Sequence, residues 1–323
     1  MYSSFLTATL PILLAATSIT DTHAQHDTIK KNEMLHKATI VILQKQCEEI
    51  MGWSWTNDGR TPQPNLGGAI AVALLESYRK DPLPSVWITL NQYTMHLKKT
   101  YANKTSMPFK ADIEYLAGFA NEFNDKSAAA LSREFFERMR KISPNGHDEF
   151  KRISTARATT PHLIGYDVAI GIRAAHALGE NDYAEDLANA ALTHQVISIE
   201  NRNNHYQIIS TGAFLYALTL LQQKQYAKTI ERLGQNLQAL QRNNGSWAIN
   251  NTQATAYALL GLTAAKGHFK SAAALKKAHH WLMNSQLKAG GWGIYNDGLP
   301  EPFVGENNTL VQAETLQAIL AGL

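Results

Sequence analysis

The side chains that could do chemistry gather in a few polar stretches. Trp53, Trp55, Asn57, Asp58 and Arg60 lie in the first, and Asn204, His205 and Tyr206 in the next. Trp247 stands in a third, and Trp292, Tyr295, Asn296, Asp297, Glu301, Glu306 and Asn307 fill the last. Indole and phenol rings can cover the apolar C–H faces of a sugar, while amides, carboxylates and guanidinium groups bond its hydroxyl edges. The mixture suits a polysaccharide groove. On this reading Trp53, Trp55, Trp247, Trp292 and Tyr295 contact substrate. Asp58 and Asp297 sit in matching Asn-Asp-Gly loops and could hold calcium through their oxygens or act on the substrate directly. Arg60 would hold a uronate carboxylate, or act as base along with His205 or Tyr206. Asn-Asp-Gly is also ordinary turn chemistry, so the acidic loops carry a structural reading beside the functional one.

His162 and Tyr166 are spaced i, i+4, on one face of a helix, and join the binding and acid–base candidates. Asp112, Glu114, Gln312 and Glu314 fall in the first turns of helices, where acids complement the positive helix end. Cys47 is the only cysteine, so an internal disulfide is excluded and the thiol reads as core filling. There is no Ser-His-Asp, Cys-His or His-Glu-x-x-His signature and no glycine-rich phosphate loop.

The elements that must position these residues are helices. Amphipathic, charged segments at 31–50, 84–102, 126–142, 182–196, 224–241 and 270–286 alternate with segments apolar nearly all round at 65–79, 108–123, 161–179, 205–222, 252–265 and 308–322. A helix with one apolar stripe has one wet face, and a helix apolar all round is enclosed. The alternation predicts two concentric rings, an all-α toroid of about six outer/inner pairs. Links from inner to outer helices are short. Most outer-to-inner links are long, at 51–64, 143–160, 197–204, 242–251 and 287–307. They fall together over the N-termini of the inner helices, which makes that end the mouth. Six positive helix ends there favour a carboxylate-bearing ligand.

Two stretches repeat as Gln-x3-Gly-x-Trp, at Gln241–Trp247 and Gln286–Trp292. Gly52-Trp53 through Gly59 aligns without gaps on Gly291-Trp292 through Gly298, which in a closed ring makes the two ends neighbours. Lys277, Ala278, Trp281, Leu282, Gln286, Gly290 and Trp292 meet every position of the Gln-Trp repeat of squalene and oxidosqualene cyclases; Arg232, Leu237, Gln241, Gly245 and Trp247 meet it in part. The chain therefore resembles the terpenoid cyclase and protein prenyltransferase α/α-toroid superfamily, which also holds some polysaccharide lyases. The resemblance implies that the tryptophans and glutamines of the repeat brace one helix pair against the next. It does not extend to the chemistry. Asp-x-Asp-Asp, Asp-Cys-Thr-Ala-Glu and Gly-Cys-Gly-Glu-Gln are absent, and Cys47 is too early to be the prenyltransferase zinc ligand.

Hydrophobic residues make up 45% of the 323 positions and charged residues 18%, with a formal net charge of +3. That supports a large core and argues against a nucleic-acid stripe. Phe5 to Ala16 is apolar and Thr22-His23-Ala24 is a small-x-small site, so residues 1–24 read as a secretory signal and 25–323 as one toroid domain. The mature protein is then periplasmic or secreted, with no membrane span. Three readings stay open: an exported carbohydrate-active enzyme, foremost a lyase of uronate-containing polysaccharide; a cyclase-like or lipid-binding toroid; and a non-catalytic binding or scaffold protein.

Overall fold

The computed structural model describes residues 30–47, 52–55, 63–102, 108–294 and 308–322. A first helix, α1, spans 30–43. There follow α2 (Pro64–Lys80), α3 (Pro84–Tyr101), α4 (Lys110–Phe123), α5 (Lys126–Ile142), α6 (Gly146–Ala156), α7 (Ile164–Ala177) and α8 (Asn181–Thr193). The chain continues through α9 (His205–Leu220), α10 (Ala227–Ala239), α11 (Thr252–Ala264), α12 (Ala272–Asn284) and α13 (Thr309–Ala321).

Helices α2, α4, α7, α9, α11 and α13 pack side by side in that order, and α13 returns to α2, so the inner ring is closed. Helices α3, α5, α8, α10 and α12 lie outside it, each against an inner neighbour. Composition explains the sorting. In α10 the buried residues are Ile230, Leu233, Gly234 and Leu237, a single stripe. In α11 every residue from Ala254 to Thr263 is buried, as an enclosed helix requires.

The Gln-x3-Gly-x-Trp repeats rivet this arrangement. Trp247 Nε1–H donates to the Leu237 carbonyl at 2.8 Å, and Trp292 Nε1–H to the Leu282 carbonyl at 2.8 Å, each the last turn of the preceding outer helix. Gln241 bonds the carbonyls of Gly245 and Ala274, reaching the start of α12. Gln286 bonds those of Gly290 and Met34, reaching α1. The last outer helix is thus tied to the first by the same device that ties α10 to α12. Trp53 repeats the move, donating to the Ile42 carbonyl at the end of α1. Gly245 and Gly290 have φ of +98° and +102°, a backbone conformation only glycine takes without strain, so the turn fixes the glycine of the repeat.

Two expectations are corrected. The helix predicted over 31–50 ends at 43, after which Gln46–Cys47 (β1) pairs antiparallel with Gly52–Trp53 (β2). The long loop predicted over 143–160 contains α6, which packs on α7 and α8.

Candidate functional site

The first turns of all six inner helices line one cavity of about 700 Å3. It opens at the end of the ring where the outer-to-inner links cross. The caps that start three of these helices are a repeated asparagine. Asn204 accepts from Gln207 N, Asn251 from Ala254 N and Asn308 from Val311 N, each satisfying a backbone donor the helix leaves open.

The wall has an aromatic part and a charged part. Trp55, Phe109, Tyr166 and Tyr206 supply rings, and His205 lies beside Tyr206 with ring centroids 3.9 Å apart. Lys110, Arg152, Arg157 and Asp167 supply charge. Arg157 grips Asp167 in a fork, with Nε–Oδ2 at 2.6 Å and Nη2–Oδ1 at 3.1 Å. Lys110 and Arg152 both hold Glu149, which is fully buried beneath them. Burial alone would raise the Glu149 carboxyl, but the two cations outweigh it and hold it at about 2. Counting Glu149, this side of the cavity carries three cations and two carboxylates.

Beneath the cavity, the axis of the ring is polar. Glu314 on α13 accepts from the hydroxyls of Tyr166 (3.2 Å) and Tyr257 (2.7 Å) and from the Gln253 amide (2.7 Å). Burial pushes its carboxyl up to about 7 against those hydrogen bonds. Deeper still, Arg173 of α7 pairs with Glu114 at 2.7 Å and lies over the Tyr216 ring, and Gln317 bonds Glu76.

The structure brings Trp55, Tyr166, His205 and Tyr206 to the cavity wall, as one site. It does not bring Trp53, Trp247 or Trp292 there. Each of these indoles is 0% exposed, so none can cover a sugar face, and all three act as braces. His162 also departs from expectation. It lies in a 3-10 turn at Pro161–Leu163, exposed, with Nδ1 3.4 Å from the Gln207 amide and off the cavity wall. Asp58, Arg60, Tyr295 and Asp297 lie outside the described residues, so the calcium site drawn on Asp58 and Asp297 lies there too. Among the described residues no cluster of His, Cys, Asp or Glu could hold a metal ion. Sequence reasoning passed over Lys110, Arg152, Arg157 and the hub role of Glu314. The signal for the two arginines was present in the Asn145 cap and the acidic first turn of α6.

Comparison with known proteins agrees with this architecture. Residues 187–323 match the family model of the squalene-hopene cyclase C-terminal domain. That segment runs from within α8 to the end of the chain and contains both Gln-Gly-Trp repeats. An inactive variant of an alpha-1,6-mannanase of Salegentibacter sp. HEL1_6, in complex with alpha-1,6-mannotriose, superposes with a TM-score of 0.63 at 10% identity, over 90% of this chain and 98% of that one. A possible member of the GH105 family from Salmonella enterica serovar Paratyphi A gives 0.64 at 13% identity, over 90% and 92%. A polysaccharide lyase gives 0.57 at 14%, over 89% and 96%. At these identities the likeness is one of fold: the chain is an α/α toroid.

Proposed function

We propose that the protein is a carbohydrate-active enzyme that takes an acidic saccharide into the mouth of the toroid, and that it is a lyase of uronate-containing polysaccharide. One observation carries the reading: rings and cations face a single open cavity at the positive ends of six helices. The rings suit sugar faces. Arg152, Arg157 and Lys110 suit a uronate carboxylate. Structures of the same fold are named as a mannanase with bound mannotriose and as a polysaccharide lyase, which supports a saccharide ligand. The lipid-binding reading is disfavoured by the wall. An isoprenoid would have to lie against Lys110, Arg152, Arg157 and Asp167, charged groups that an alkyl chain would strip of water. His205 and Tyr206 stay the candidate bases on this reading, and residues 1–24 are proposed to direct export.

The test is an ultraviolet assay of the protein starting at Gln25 against acidic polysaccharides, with and without calcium, run beside a reducing-end assay. Rising absorbance from an unsaturated uronate supports the lyase. New reducing ends without that absorbance replace it with a hydrolase. Silence in both assays removes the enzymatic reading. Dependence on calcium would direct mutagenesis first to Asp58 and Asp297.

A further inference from the structure

Glu314 is a buried acid that touches the cavity wall from below and, unlike Glu149, does so through neutral groups. It is 4% exposed, and every hydrogen bond recorded to it comes from a neutral donor. Two of the three, Tyr166 and Gln253, also line the cavity. The nearby cation, Arg173, is engaged by Glu114. A carboxyl enclosed without a contacting cation is costly to keep ionised. Keeping one directly behind a cavity-lining tyrosine, within hydrogen-bond reach of its hydroxyl, has a use in proton transfer.

We propose that Glu314 and Tyr166 form a proton relay that protonates the departing glycosidic oxygen, with Tyr166 touching the substrate and Glu314 supplying it. This rests on the carbohydrate reading but not on the choice between lyase and hydrolase, because the leaving oxygen needs a proton in both. As the C–O bond breaks, its electron pair goes to the oxygen, which takes the Tyr166 hydroxyl proton. The Tyr166 oxygen takes the carboxyl proton of Glu314. Glu314 is left as a carboxylate, held by the Tyr257 hydroxyl and the Gln253 amide and stabilised by the field of Arg173. The proton released in the other half of the reaction restores the acid. It comes from water in hydrolysis and from the ring carbon beside the carboxylate in elimination.

The groups around Glu314 are compatible with this role. Helix α11 presents Gln253 and Tyr257, and α7 presents Tyr166, Asp167 and Arg173. Helix α4 contributes Glu114, already paired, and α9 contributes Tyr216 under the guanidinium. Glu76 of α2, with Arg79 near it, is taken by Gln317, and His279 of α12 lies at the far end of α13 beside Gly322. With burial holding Glu314 at about 7, the acid form is populated below neutrality and disappears above it.

The experiment combines a titration with kinetics. Protein labelled with 13C at glutamate carboxyls should show a resonance with a midpoint near 7 that is missing in Glu314→Gln and moves to higher pH in Tyr257→Phe, which removes a donor to the carboxylate. An ordinary glutamate midpoint overturns the relay. On whichever saccharide is turned over, Glu314→Gln and Tyr166→Phe should each lower kcat by about 100-fold or more with KM little changed. The limb on which rate falls above neutrality should vanish in Glu314→Gln and move upward in Tyr257→Phe. A merely structural Glu314 would leave that limb in place, and a limb that stays overturns the relay while leaving the carbohydrate reading intact. Absence of turnover on every saccharide overturns the carbohydrate reading, and the relay with it.

Discussion

At the scale of residues, the sharpest lesson is that four tryptophans of similar setting divide into two kinds. A buried indole needs an acceptor for its N–H. Trp53, Trp247 and Trp292 find one on the preceding outer helix, which places their rings behind the wall. Trp55, two residues on, falls on the cavity side. Replacing Trp292 by Phe should cost about 1 kcal/mol for the lost hydrogen bond, and replacing it by Ala about 3–5 kcal/mol, most of it from the cavity left behind. Guanidinium unfolding measures both. Trp55→Ala should instead weaken oligosaccharide binding by up to about tenfold, the scale of one lost ring stack, as read by calorimetric titration. Equal destabilisation by the two alanine variants would contradict the division. Residue type alone did not separate them, because a ring that braces and a ring that binds are the same letter; the Gln-Gly-Trp repeat pointed Trp247 and Trp292 toward bracing, and complete burial against the preceding outer helix adds Trp53 to them.

At the scale of elements, the inner and outer helices were legible because enclosure leaves a mark on every residue of a helix. The sequence of α11 has no polar face and that of α10 has one, and each helix sits where that pattern demands. Helix α6 was not legible, although it has a cap at Asn145 and an acidic first turn. It has eleven residues and interrupts the alternation of outer and inner segments, so the pattern that revealed the others hid it. The omission matters because α6 carries Glu149 and Arg152 and leads into Arg157, the charged side of the cavity. Its seat depends on Gly146, where an added Cβ would lie 2.2 Å from the Leu187 nitrogen and 2.4 Å from the Tyr183 carbonyl oxygen. Gly146→Ala must therefore push α6 off α8. Glu149→Gln keeps the shape but removes the charge that holds Lys110 and Arg152. Uncompensated cations should cost about 3 kcal/mol in urea unfolding. Gly146→Ala should weaken acidic oligosaccharides more than neutral ones, whereas Glu149→Gln, which frees two cations at the wall, should strengthen acidic ones relative to neutral ones. Equal changes for the two ligand classes would detach the charged wall from recognition.

At the scale of the molecule, closing the ring converts the axis into a place from which water is excluded. Contact of α13 with α2, together with the Gln286 bond to the Met34 carbonyl, seals the two ends of the chain against each other. Acids facing inward are desolvated as a consequence. Burial raises Glu76 and Glu314 at the axis, and Asp112 between α4 and the outer helix α3, each to about 7, from ordinary values near 4. The sign of the resulting pH dependence is opposite to that of most ion-paired proteins. Between those values the folded chain holds protons that the unfolded chain has released, so its stability is full below about pH 4 and declines as pH rises toward 7. Each group contributes at most about 1.4 kcal/mol per pH unit. Glu149 and Asp125, held at about 2, lose their contribution only in stronger acid, below this window. His279, lowered by burial, works the other way, since its unfolded form takes up a proton as pH falls through its ordinary value. Three acids against one histidine leave the decline in place. Urea unfolding should therefore give a larger free energy at pH 5 than at pH 8, by on the order of 3 kcal/mol. Glu314→Gln, which carries no charge at either pH, should reduce that difference without abolishing it. Stability that instead climbs steadily from pH 5 to pH 8 would mean that the axis is hydrated and that the closed ring does not keep its acids dry.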